Sequence, residues 1–169
     1  MVRWSVVSLF LFVFVVPAFA QEDFPRMEVA MGYANVGFDL AGTGQTRHSG
    51  FAMHTGLNFT KALGIENYSG FYSLGQGITL ISNIIGGKAA WRGGGMVVPY
   101  GVAGVGVSYA TSGYCCSGSA LSTRLGGGVD LKLNDAFALK FDISRMGFHF
   151  GSWSSSTNFS SGIVFTLAN

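Results

Sequence analysis

Leu121-Ser122-Thr123-Arg124-Leu125-Gly126-Gly127-Gly128-Val129-Asp130-Leu131-Lys132-Leu133 places Leu, Thr, Gly or Val at every odd position and Ser, Arg, Gly, Asp or Lys at every even one. Side chains of an extended strand point alternately to opposite faces, so this segment has one oily and one polar face. The next segment repeats the pattern, with Phe137, Leu139, Phe141 and Ile143 opposed by Ala138, Lys140, Asp142 and Ser144. Near the end, Phe159, Ile163, Phe165 and Leu167 alternate with Asn158, Ser160, Gly162 and Thr166. Upstream, Phe51, Met53, Leu57 and Phe59 alternate with Ala52, His54, Gly56 and Asn58, and Met27, Val29, Met31 and Tyr33 with Glu28, Ala30 and Gly32. These are five strands. Three more strand-like segments, 64–73, 77–91 and 96–110, have blurred faces, because Ile84-Ile85 and Val97-Val98 put apolar residues on both sides.

Alternation alone fits a soluble sandwich as well as a membrane barrel, since the two differ only in which face meets water. Composition separates them. The 169-residue chain is 49% hydrophobic and only 11% charged, against about 25% charged in a soluble domain. Its polar positions are mostly Gly, Ser, Asn and Thr, with a few ions of both signs. Such side chains suit the inside of a narrow closed barrel, and the oily face suits lipid, where closure satisfies every backbone group. Richness in Phe, Val, Ile and Leu with a formal net charge of +2 excludes a disordered chain. That small charge points to no nucleic-acid partner.

The N-terminus reads as an export signal. Arg3 precedes an apolar run from Leu9 to Val16, then Pro17 and the small-x-small triplet Ala18-Phe19-Ala20, ahead of polar Gln21-Glu22-Asp23. The run is too short to span a bilayer, which takes roughly 20 residues. The expected domains are therefore a signal peptide at 1–20, cleaved after Ala20, and a barrel at 21–169. Removing 20 of the 169 residues leaves 149, or about 19 per strand and connector for eight strands, enough for the roughly 9 to 11 residues of a tilted spanning strand.

The connections agree. Tight turns (61–64, 92–95, Asn134-Asp135) alternate with longer Gly/Ser-rich stretches (40–50, 111–119, 149–156), only the link at 73–77 being short where a long one is expected. Short connections on one rim and long ones on the other are the pattern of bacterial outer-membrane barrels. Phe59, Trp91, Phe137 and Phe165 fall near the short-turn rim and Phe51, Tyr109 and Phe159 near the other, as two interfacial girdles would. Met146, Phe148 and Phe150 reverse the parity of the apolar positions. A bulge near Ser144-Arg145, or emergence from the bilayer, would account for that.

Several segments resemble a known family. Residues 50–64, Gly50-Phe51-Ala52-Met53-His54-Thr55-Gly56-Leu57-Asn58-Phe59-Thr60-Lys61-Ala62-Leu63-Gly64, are similar to the second strand and first inner turn of the small bacterial outer-membrane β-barrels related to the transmembrane domain of outer-membrane protein A. Pro99-Tyr100-Gly101-Val102-Ala103-Gly104-Val105-Gly106 resembles the fifth strand, Leu125 to Leu133 the sixth, and Gly162-Ile163-Val164-Phe165-Thr166-Leu167 the closing one. The resemblance implies an all-β, eight-stranded antiparallel up-and-down transmembrane barrel in the outer membrane. Its implied partners are outer-membrane lipid and lipopolysaccharide, and the barrel assembly machinery acting through the C-terminal strand. It implies no peptidoglycan-binding module. Leu167 stands where family members commonly carry a terminal aromatic residue.

The ions expected to face inward are Glu28, Glu66, Lys88, Arg124, Asp130, Lys132, Lys140 and Asp142, with Glu66 and Lys88 depending on the blurred register. Side chains fill an eight-stranded interior, so these ions should form a crossing network rather than line an aqueous pore. A narrow gated conductance is the alternative. Adjacent Cys115 and Cys116 sit in a loop-like stretch. Their Cα atoms, about 3.8 Å apart, are closer than an unstrained bridge requires, so a vicinal disulfide there would be strained.

No metal site, cofactor or catalytic residue is expected. His149 near Ser152, Ser154, Ser155 and Ser156, and His48 next to Ser49, are the residues a lipid A-modifying barrel enzyme could use. Nothing but Asp39, at the margin of the first loop, could orient either imidazole. Tyr114, Phe148, Phe150 and Trp153, on or beside the outer loops, suit contacts with an extracellular ligand.

Overall fold

A computed structural model describes residues 24–38, 46–75, 77–112 and 117–168. The signal segment 1–20, Asp39, Tyr114 and the Cys115-Cys116 pair lie outside the described residues. Eight strands follow in order: β1 (Met27–Phe38), β2 (Thr46–Asn58), β3 (Leu63–Gly75), β4 (Ile78–Ala90), β5 (Val97–Ser112), β6 (Ser117–Lys132), β7 (Phe137–His149) and β8 (Trp153–Ala168). Each pairs antiparallel with its sequence neighbour, and β1 pairs with β8, so the sheet closes into an up-and-down barrel. No sheet edge is left open, which is the condition for a β structure to cross lipid.

Partners across an antiparallel pair face the same side, and here they share parity: Met27 opposes Leu57, Gly50 opposes Tyr72, Leu63 opposes Ala89, Val97 opposes Leu131 and Phe137 opposes Phe165. Even-numbered side chains therefore point into the barrel on all eight strands and odd-numbered ones point out. This settles the blurred strands. Ile84 and Val98 are buried inside, while Ile85 and Val97 stand exposed on the outer wall. The outward residues Met31, Phe51, Phe71, Val105, Leu125, Phe141 and Ile163 are all exposed, a wall of apolar side chains that only lipid would cover.

The chain differs from the sequence expectations at two places. The described residues of the Gly/Ser-rich stretches 111–119 and 149–156 extend the strands, with β5 running to Ser112, β6 starting at Ser117, β7 ending at His149 and β8 starting at Trp153. Likewise β2 already begins at Thr46. Beyond the bilayer both faces of a strand meet water, so alternation fades although backbone pairing continues. Nor is there a bulge at Ser144-Arg145: the β6/β7 and β7/β8 registers run through it without a shift. Met146 and Phe148 are fully buried inside the barrel, so Phe148 belongs to the interior and not to a loop surface.

Leu131 faces outward, as its parity requires, but it lies one residue before the inner end of β6 at Lys132. Nearer the middle of the wall on the same face is Val129, which opposes Phe141.

Candidate functional site: the barrel interior

Inward side chains arrange themselves in layers from the short-turn rim to the other. At the short-turn mouth a cavity of about 300 Å³ is lined by Phe24, Glu28, Arg92, Asp130, Lys132 and Asp135, among others. Glu28 forms its floor. Its Oε2 accepts from Asn58 Nδ2 at 2.9 Å and from Lys88 Nζ and Arg92 Nη2, each at 3.3 Å.

Above it the ions from β3, β4, β6 and β7 converge. Lys88 Nζ reaches Asp130 Oδ2 at 3.4 Å and lies 3.9 Å from Glu66 Oε2. Lys140 Nζ bridges Glu66 Oε2 at 3.2 Å and Asp130 Oδ1 at 3.4 Å. Arg124 spans two acids, donating from Nη1 to Glu66 Oε1 at 2.9 Å and from Nη2 to Asp142 Oδ2 at 2.8 Å, with Nε directed to Ser144 Oγ at 3.2 Å. The Tyr100 hydroxyl donates to the same Asp142 oxygen at 2.9 Å. Its ring carries Lys140 Nζ at 4.0 Å and Lys88 Nζ at 4.8 Å from its centroid, and Arg124 stacks 4.5 Å over Tyr68. Aromatic faces replace part of the hydration these cations lose.

Setting His54 aside, the described ion pairs join four carboxylates (Glu28, Glu66, Asp130, Asp142) to four cations (Lys88, Arg92, Arg124, Lys140). Charge is balanced where burial would make any residual charge costly. Seven of the eight ions expected from the sequence are brought together. Lys132 is not: it lines the mouth cavity and takes part in none of the described ion pairs. Near a strand end the polar face opens onto water, and a lysine there can follow the solvent. Arg92 takes its place. That residue sits in the glycine-rich turn after β4, where period-two reasoning gives no direction, although its even number continues the inward series.

Closer to the far rim the interior turns aromatic and apolar. Tyr68 and Tyr72 are hydrogen-bonded through their hydroxyls, and Tyr72 donates onward to Asn158 Oδ1 at 2.7 Å, which leaves Tyr68 as donor to Tyr72. Gly70 makes this possible. A Cβ there would come within 2.7 Å of the Tyr72 ring and 2.9 Å of the Tyr68 ring, so only glycine lets both rings lie against the wall. Val36, Leu74, Leu80, Ile84, Met146 and Phe148 pack with the tyrosines into one buried cluster. Beside it Ser122 donates to Ser108 at 2.7 Å and Ser108 to Ser82 at 2.8 Å.

One arrangement with hydrolase-like order was not visible in the sequence. His54 Nδ1 lies 3.1 Å from Glu66 Oε1, and its Nε2 lies 3.4 Å from Ser160 Oγ. A base between a hydroxyl and an orienting carboxylate is what nucleophilic catalysis requires. Here all three groups are buried inside the wall, and the void beside His54 and Ser160 measures about 10 Å³, too small for more than about one water. Outside, His149 is exposed and packs edge-on against Trp153, with ring centroids 5.2 Å apart. The carboxylates among the described residues lie inside the barrel or at the short-turn rim, away from His149 and the serines near it. Among the described residues no group of His, Cys and acidic side chains is placed to hold a metal ion.

Comparison with known proteins fits this architecture. No curated protein matches the chain in sequence. Similar solved structures include Neisserial surface protein A (TM-score 0.70, 13% identity, covering 83% of this chain and 97% of that one). Ail, the attachment invasion locus protein of Yersinia pestis, superposes with a TM-score of 0.60 at 17% identity, over 83% of this chain and 97% of its own. The N-terminal β-barrel domain of Pseudomonas aeruginosa OprF does so at 0.59 and 13%, over 83% and 98%. At such identities the likeness speaks for the fold alone. The family model described as outer membrane protein beta-barrel domain matches residues 6–165, nearly the whole chain. With a closed eight-stranded barrel, an apolar outer wall and that match together, this chain belongs to the outer membrane protein beta-barrel family, and its place is the bacterial outer membrane.

Proposed function

We propose that the protein is a closed, non-conducting and non-catalytic barrel with a structural or surface-interaction role, exported by its first 20 residues. The observation that carries this reading is the filled lumen: a balanced ion network in one half and a tyrosine-capped apolar cluster in the other. Ions crossing such an interior would have to break several pairs at once, each buried away from bulk water. What remains accessible is the outer end, where Phe150 and Trp153 are exposed at the β7–β8 tip. A ligand-facing role fits those aromatics better than a transport role fits the interior.

Planar-bilayer recording on the purified, folded protein tests this. The expected result is a silent membrane, with at most rare and irregular openings. Steady unit currents that persist at both voltage polarities would overturn the closed-barrel reading in favour of a narrow pore. Catalysis is tested separately by mass spectrometry of lipid A from cells with and without the protein. An unchanged acyl pattern is expected, and loss of an acyl chain that depends on His149 would contradict it.

A further inference from the structure

Charge on the outer wall is one-sided. In the half of the wall near the far rim, the outward positions of β3 to β6 are uncharged, with Phe71, Ile81, Val107, Tyr109 and Leu121 among them. On the contiguous strands β7, β8, β1 and β2, the same half carries two exposed arginines, Arg145 and Arg47. They share one belt of the sheet: Arg145 opposes Thr157 on β8, Asn158 opposes Val36 on β1, and the next β1 residue, Gly37, opposes Arg47. Three interstrand steps of about 4.8 Å put their backbones roughly 14 Å apart.

Their height places them at a headgroup layer. Arg145 follows Phe137 by eight residues along β7, and Arg47 precedes Leu57 by ten along β2. At about 3.3 Å per residue and a tilt near 40°, these lie about 20 and 25 Å above the short-turn rim, the top of a hydrocarbon band about 25 Å tall. From there Arg145 reaches towards the far rim, to Ser155, and Arg47 reaches back one rung, to Asn35, which brings the two guanidiniums to about the same level.

Both guanidiniums are held in place. Arg47 Nη1 donates to Asn35 Oδ1 at 2.9 Å, and its Cζ sits 4.7 Å over the Phe159 ring. Tyr33 and Ser49 share a hydrogen bond of 2.7 Å beneath it. Arg145 Nη2 donates to Ser155 Oγ at 2.6 Å, and exposed Trp153 lies on the wall just above. Every carboxylate among the described residues is inside the barrel or at the opposite rim. Two fixed arginines at a lipid headgroup layer, with donors left over and no described acid beside them, suit two phosphates.

We infer that Arg47 and Arg145 form a lateral binding site for a phosphorylated glycolipid of the outer leaflet, one molecule of bisphosphorylated lipid A bridging them with its sugars against Trp153. The inference rests on odd-numbered side chains facing lipid and is independent of whether the lumen is closed.

The folded protein is placed in phosphatidylcholine nanodiscs containing bisphosphorylated lipid A, dephosphorylated lipid A or phosphatidylglycerol, and retained lipid is counted by native mass spectrometry. Wild type should retain one bisphosphorylated lipid A and neither of the others. Arg47→Gln with Arg145→Gln should weaken retention by at least about tenfold, since each lost charge-assisted pair contributes that order. The corresponding lysine pair should recover part of it. Heat-modifiability gels verify folding of each variant, and if the glutamine pair does not fold, the comparison of the two lipid A forms on wild type still decides. Equal retention of phosphorylated and dephosphorylated lipid A, undiminished retention by a folded glutamine pair, or equal retention of phosphatidylglycerol would each overturn the site. Displacement of lipid A by millimolar inorganic phosphate would reassign it to small anions and overturn the lipid proposal as well.

Discussion

Arg124→Leu is expected to destabilise the folded barrel by about 3 to 5 kcal/mol, the range for removing one partner of a buried ion pair. The loss is large because this guanidinium serves two acids at once, Glu66 at 2.9 Å and Asp142 at 2.8 Å. Leucine would leave Asp142 with only the Tyr100 hydroxyl among its described partners, and Glu66 with the lysines and His54. The Tyr68 ring would also lose the cation stacked on it. Denaturant titration of refolding into phospholipid vesicles measures this. A second change, Asp142→Leu in the Arg124→Leu background, should cost less than its effect alone, because the acid it removes is already unpaired. Full additivity of the two would mean the pair does not exist.

Along the same strand, on the other face, the logic reverses. Val129 points outward, four residues from the short turn at Leu133 and so near the middle of the hydrocarbon band, and Val129→Lys should cost about 2 to 4 kcal/mol, the penalty for a cation at the bilayer midplane. Leu131→Lys faces the same lipid but sits next to the inner end of β6, where the depth dependence reduces the penalty to about 0 to 1 kcal/mol. The ordering of the two lysines is therefore a depth gauge as well as a facing test. Equal costs at 129 and 131 would place the membrane elsewhere on the wall.

The parts of this architecture legible in the sequence are those where the two faces meet different media. Within the bilayer, lipid on one side and ions on the other impose a period of two, and β1, β2, β6, β7 and β8 announce themselves. Where the interior is itself apolar, as at Ile84, Val98 and Met146, both faces look alike, and register is recovered only from pairing. The apparent parity flip at Met146 and Phe148 is this effect. The side chains keep pointing inward while the interior changes from ionic to hydrocarbon.

The ion network was readable as a set of residues but not as a geometry. Parity places Glu28, Arg124, Asp130, Lys140 and Asp142 on the inner face, and Glu66 and Lys88 only once the register is known, yet which cation meets which acid depends on the stagger of strands around the barrel. Arg92 escapes parity because glycine-rich turns have no periodicity. Lys132 satisfies it without joining the network, because a strand end still alternates after it has left the packed interior. The tyrosines at 68, 72 and 100 occupy even positions in the sequence, but their hydroxyls link to distant strands, as Tyr72 does to Asn158, and no local pattern encodes that.

The central claim is that odd-numbered side chains meet lipid and even-numbered ones are enclosed. Nitroxide labels test it most directly. Leu121, Leu125 and Val129, and in separate proteins Ser122, are changed to Cys in a background where Cys115 and Cys116 are Ser, then labelled and reconstituted in vesicles. Labels at 125 and 129 are expected to collide readily with dissolved oxygen and poorly with a water-soluble nickel chelate, with the contrast rising from 121 through 125 to 129, while the label at 122 should be shielded from both. Greater accessibility of the 129 label to the nickel chelate than to oxygen would put water where lipid is required, and would contradict the account.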